Sequence, residues 1–247
     1  MNRALAPLAF VTLAACVGQP QGDAKVAAAA QPLDVGNPGI APPDTRPLGK
    51  SYGQWASRYW QWALAQPADL SPLVDDSGAH CQLGQTGDMF FLGGELGGGT
   101  DHRVCAVPFG KSIFVPVMSL FAMETLKAPQ PTDTLRRSLA AELDGAVVFA
   151  SIDGRAVVSP ESYREQSPLF GAALPPAARN NVLGVDGTVC RQRPHAQLLC
   201  GPFVDDSYAL ILSPLAPGAH LIHVGGTTAS GVVFDVSYEV HVPLPPT

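Results

Sequence analysis

The stretch from Val232 to Val242 sets Val232, Phe234, Val236, Tyr238 and Val240 two residues apart, with Asp235, Ser237, Glu239 and His241 between them. A period of two belongs to a strand with one dry face and one wet face, and no helix can follow it. Tyr208 to Leu212 and Ala219 to Val224 read as strands of the same kind, with turn chemistry at Pro217-Gly218 and Gly225-Gly226. Three short strands in sixty residues point to an antiparallel β-sandwich-like domain. The fold class expected is mainly β (α+β), with two supporting helices.

The first helix opens at Ser51, where Ser51 and Gln54 fit a capping box, and ends before Pro67. Tyr52, Trp55, Tyr59 and Trp62 fall within an arc of about 80° on it, with Trp60 to one side. An aromatic stripe at this spacing reads as core, and Trp60, off the stripe, is the candidate for stacking against a sugar. Thr132 is expected to cap a second helix, with Leu135, Leu139 and Leu143 on one face and Gly145 as its stop. A strand from Ala146 to Ile152 should turn at Asp153-Gly154, a type I′ pair, into Arg155 to Val158. Four prolines between Ser159 and Gly187 mark that segment as loop.

At the other end of the chain, Arg3 precedes an apolar run from Ala4 to Ala15 that is too short to cross a bilayer as a helix. The run closes on Leu13-Ala14-Ala15-Cys16, the pattern of a bacterial lipoprotein signal in which the cysteine thiol takes a diacylglycerol; an ordinary secretory signal is the alternative. The expected division is a signal over 1–15, a disordered tether over 16–49 and one globular domain over 50–247. Val17 follows the lipidation candidate Cys16, and the similarity to such lipoproteins then implies anchorage in the outer membrane of a Gram-negative envelope. Cys81, Cys105, Cys190 and Cys200 remain, and four cysteines in an oxidising compartment imply two disulfides. Of three possible connectivities, local loop closure favours Cys81 with Cys105 and Cys190 with Cys200. The net charge is −6, with fifteen basic residues and no basic cluster, which leaves no footprint for nucleic acid.

Between Ser77 and Pro116 the chain is densest in special residues. Met89 to Leu92 and Lys111 to Val117 read as strands, and Gly93, Gly94, Gly97, Gly98 and Gly99 lie between them in a loop that a Cys81–Cys105 bond would tie. The helix YGQWASRYWQW, the block C-x3-Q-x-G-x2-F-F-L-x-G with C-x-V-P-x-G-K-x-x-F-x-P, and the closing PGAHLIHVGG…FDVSYEVHV together resemble a family of uncharacterised secreted bacterial proteins. That resemblance implies one structural unit from Tyr52 onward and carries no activity.

The candidate sites cluster in the glycine loop. Glu95 with Asp88 or Asp101 is the carboxylate group that could divide acid and base roles in glycan hydrolysis, and Glu95 and Asp101 are the catalytic candidates. His80 and His102, each within three residues of a bridging cysteine, are candidate metal ligands, although no metal-knuckle spacing is present. Gly110-Lys111-Ser112 lacks the glycine that a phosphate loop needs at position 105, and neither G-x-S-x-G nor H-E-x-x-H occurs. His220 and His223, three apart on a strand, should face opposite ways, one of them hydrogen-bonded within the sandwich. No cofactor is expected. The expectation is a lipid-anchored, non-catalytic envelope protein that binds a glycan, another ligand or an envelope protein at Trp60, Gly94, Glu95 and Gly98. A glycan hydrolase and a purely structural role are the alternatives.

Overall fold

The computed structural model describes residues 36–176, 180–192 and 197–246. The signal-like run and the lipidation candidate Cys16 lie outside the described residues. Helix α1 spans Tyr52–Leu64 and α2 spans Thr132–Leu143. The strands are β1 (Met89–Phe91), β2 (Gly99–Ala106), β3 (Ser112–Met123), β4 (Val147–Ile152), β5 (Arg155–Ala156), β6 (Arg164–Gln166), β7 (Phe170–Leu174), β8 (Arg191–Gln192), β9 (Leu198–Leu212), β10 (Gly218–Thr227) and β11 (Val233–Val242). They form two sheets. One runs β1-β3-β9-β6, with β7 and β8 also on β9; the other runs β2-β11-β10-β4-β5.

The mainly β, two-helix, sandwich-like fold is the one the alternation called for, but its pairing is mixed. β1 lies parallel to β3 and β2 lies parallel to β11, while the remaining pairs are antiparallel. The reason is the crossover at the glycine loop, which carries the chain from the first sheet to the second and so frees it from hairpin geometry. Strands also appear where loops were expected. β6 and β7 form between the prolines of 159–187, pairing with the long strand β9. Gly225 and Gly226 belong to β10, not to a turn, since both pair with β11 and β4, and close packing makes glycine necessary there: a Cβ at Gly225 would lie 2.1 Å from the Phe234 carbonyl oxygen and one at Gly226 would lie 2.2 Å from that of Val147. The turn that closes the β10–β11 hairpin comes later, at Thr228 to Gly231, and Asp153-Gly154 does turn with both residues at positive φ.

The capping box at Ser51 forms, and Pro131 rather than Thr132 holds the capping position of α2. The aromatic face of α1 is core: Tyr59 stacks on Phe114 at 5.4 Å and Trp62 on Phe91 at 5.5 Å. α1 meets the face of β9 that carries Asp205, whereas Leu135 and Leu139 of α2 pack with Val204, whose side chain points the other way. The first sheet is therefore covered on both faces, and β9 is buried without a break from Phe203 to Leu212. The domain also begins earlier than composition indicated. Residues 36–49, assigned to the tether, pack onto it: Ile40 is buried and bridges to Leu212, and Asn37 bonds Val158 and Tyr163. Few large apolar residues sit in that segment, yet its backbone completes the end of β9 through Ala41 and Ser213. Both expected disulfides, Cys81–Cys105 and Cys190–Cys200, are present.

Candidate functional site

β1 covers only Ser112 to Phe114 of its edge of β3, and among the described residues no strand pairs with that edge beyond Phe114. Farther along, Ser119, Leu120 and Phe121 line a cleft of about 320 Å³, between the glycine loop on one side and the β10–β11 turn on the other. Trp60 and Phe121 form part of its apolar wall, their rings edge to face at 4.4 Å, and Leu96, Val232 and Phe234 add to it. Its side-chain polar groups belong to Glu95, Ser119, Glu142, Thr228 and Ser230, with the indole of Trp60.

The loop that carries Glu95 is held by a buried arginine. Arg103 of β2 is 2% exposed, and its Nη1 donates to the carbonyl oxygens of Pro72, Gly93 and Gly94 at 2.8, 2.7 and 3.0 Å. Its Nε and Nη2 donate to Asp101 at 3.1 and 2.5 Å, and Glu95 lies 3.6 Å from Nη2. Tyr238 donates to the Gly93 carbonyl at 2.6 Å, and the Gly94 N–H donates to Tyr59 at 2.9 Å, so the loop's first residues are clamped between α1 and β11. Burial, reinforced by Asp101, pushes the Glu95 carboxyl up to about 7 against the pull of Arg103. Asp101 is desolvated too, but hydrogen bonds from Glu95 and Arg103 hold it below the ordinary carboxylate range.

Behind the cleft wall lies a second carboxyl. Asp205 is fully buried; its Oδ2 accepts from Trp60 Nε1 at 2.7 Å and from Ser207 Oγ at 2.5 Å, and among the described residues its Oδ1 has no hydrogen-bond partner. Burial pushes it up to about 7 despite those two donors. Ser207 is in turn 2.6 Å from Ser119 Oγ, at the cleft surface.

The sequence-derived candidates divide accordingly. Trp60 and Glu95 both line the cleft, but Trp60 is 2% exposed with its N–H committed to Asp205, so it is wall and not an open stacking platform. Gly94 is buried against Tyr59 and Pro116, and Gly98 is half-buried beside Val232 and Val233; neither lines the cleft, and Gly97 does. Glu95 and Asp101 meet over one arginine instead of flanking an open space, which is not the separation of about 5 Å or more that paired glycosidase carboxylates require. Asp88 is far more exposed and contacts Lys111. His80 stands beside Asp75, and His102 lies on the exposed face of β2 opposite Ser237; among the described residues no group of three metal-ligating side chains assembles. His220 bonds Asp153 and the Ala216 carbonyl, and His223 bonds Asp235 on the other face.

Sequence reasoning missed Arg103, Asp205 and Ser207. Residues 99–106 looked like loop; read as a strand, the period of two would have placed Arg103 on the inward face with Cys105. No protein-family model matches this chain, and no curated protein or solved structure matches it either.

Proposed function

We propose that this protein is a lipid-anchored protein of the Gram-negative outer membrane that binds a ligand without turning it over, and that the ligand occupies the cleft along the free edge of β3. The observation that carries the reading is the cleft itself, in which an aromatic wall meets a few convergent polar groups on a clamped scaffold. The two disulfides fit an oxidising compartment and support the envelope assignment. The fixed embrace of Asp101 by Arg103 supports binding over hydrolysis, since it withdraws one carboxylate of the acid–base pair from any substrate.

The test is thermal unfolding of the purified full-length protein against glycans, peptidoglycan fragments, peptides and amines, alongside the Ser230→Trp variant, whose indole would fill the mouth from an exposed turn. A ligand present at one hundred times its dissociation constant should add about 2.7 kcal/mol to stability, and Ser230→Trp should abolish that gain. A gain that survives Ser230→Trp would move the site elsewhere, and chemical conversion of the bound ligand would replace binding by catalysis.

A further inference from the structure

Among the described residues, every side-chain hydroxyl that lines the cleft has its proton committed to another group of the protein. Ser207 has a single hydroxyl proton, and it goes to Asp205 Oδ2. The contact between Ser119 and Ser207 must therefore be donated by Ser119. On the opposite side, Ser230 gives its proton to Glu142 Oε2 at 2.6 Å, so the 3.0 Å contact between Thr228 and Ser230 is donated by Thr228. The indole N–H of Trp60 goes to Asp205. What remains for a guest is lone pairs: the oxygens of Ser119, Thr228 and Ser230, and the carboxyls of Glu95 and Glu142. Among the described residues that line the cleft, none is Lys, Arg or His.

A guest that brought only acceptors would find no side-chain donor here, and burying its oxygens unpaired would cost it binding energy. A guest that brings donors and positive charge meets acceptors and two acids, while its apolar part meets Trp60, Phe121 and Phe234. Glu95 lines the cleft, and its carboxylate, packed against Gly99 and 3.6 Å from Arg103 Nη2, is held at one end of it. Resting on the ligand-binding reading above, we infer that the cleft recognises an organic ammonium ion on an aromatic or branched aliphatic body, with the ammonium at Glu95, Ser119 and Glu142 and the body against the aromatic wall.

The experiment uses three probes of one shape, 4-phenylbutylamine, 4-phenylbutan-1-ol and 4-phenylbutyrate, titrated calorimetrically into the full-length protein at pH 8. The amine should bind at least tenfold more tightly than the alcohol, and the carboxylate should give no heat. Glu95→Gln should cut the amine-to-alcohol ratio to threefold or less. Glu142→Gln, on the surface of α2, should lower the ratio in the same direction without disturbing the interior. Equal binding of amine and alcohol, or a ratio unmoved in both variants, would overturn the ammonium assignment. If none of the three probes binds, the assignment also falls; the cleft reading then stands only if another ligand gives a stability gain that Ser230→Trp removes, and it falls too if none does.

Discussion

Asp205 is a carboxyl that the fold keeps in a fully buried place between Trp60 and Ser207. Its folded-state value of about 7 lies above the ordinary 3.8, so between those limits the folded protein holds a proton that the unfolded chain has released. The contribution to stability is full below about pH 4, is lost as pH rises toward 7, and stays constant beyond it. Glu95, raised from 4.5 to about 7 by burial and then by Asp101 and Asp76 against the pull of Arg103, adds to the fall with the same sign. Urea midpoints should accordingly be lower at pH 8 than at pH 5 for the parent protein, and Asp205→Asn should flatten that difference. A variant with the parent's slope would show that Asp205 is ionised at both values. Trp60→Phe, which keeps the ring contact with Phe121 but strands Asp205 Oδ2 with one donor fewer, should cost about 1–3 kcal/mol at pH 8. Trp60 was legible in part: helical spacing set it off the aromatic stripe, and that angular offset turns its indole toward β9. Its partner was not legible, because Asp205-Asp206-Ser207 looks like a polar loop until the strand that starts at Leu198 is known to run through it.

At the scale of elements, β2 shows why the site was harder to read than the fold. Its inward positions are Asp101, Arg103 and Cys105, and an acid followed by a base does not look like the dry face of a strand. Parallel pairing to β11 and the bond to Cys81 supply what local sequence lacks. By contrast, β11 and α1 carry complete local signals, alternation in one and a capping box with an aromatic stripe in the other, and they formed where expected. The two disulfides should separate by function. Joint replacement of Cys81 and Cys105 by Ala releases a 24-residue separation, which should cost about 3 kcal/mol, and it loosens the strand whose Arg103 clamps Gly93 and Gly94. Ligand affinity in the cleft should therefore fall with stability. The Cys190–Cys200 bond spans 10 residues beside β8 and β9, away from the cleft lining, and its removal should cost a comparable amount of stability with affinity kept. Denaturation midpoints and probe titrations on the two double variants decide it, and equal loss of affinity in both would refute the clamp.

Across the whole molecule, the residues that build the cleft run from Trp60 to Phe234, and the packed domain starts at Gly36. The start was misplaced from composition because Gly36 to Gly49 offers hydrogen bonds more than apolar area: Asn37 bridges to Val158 and Tyr163, Tyr52 donates to Ala41, and Trp55 donates to Pro47. Cys16 precedes Gly36 in the sequence, so under the proposed function the anchor and the binding site belong to different parts of the chain. Under the lipoprotein reading, Cys16→Ser should lose incorporation of labelled palmitate and move from the membrane fraction to the soluble fraction after osmotic shock. The soluble form should bind the cleft probe with the parent's affinity, within twofold, because the described residues of the cleft and of its clamp run from Tyr59 to Tyr238. A variant that remains in the membrane fraction would refute lipid anchorage at Cys16, and a soluble variant with weakened binding would show that residues before the domain contribute to the site.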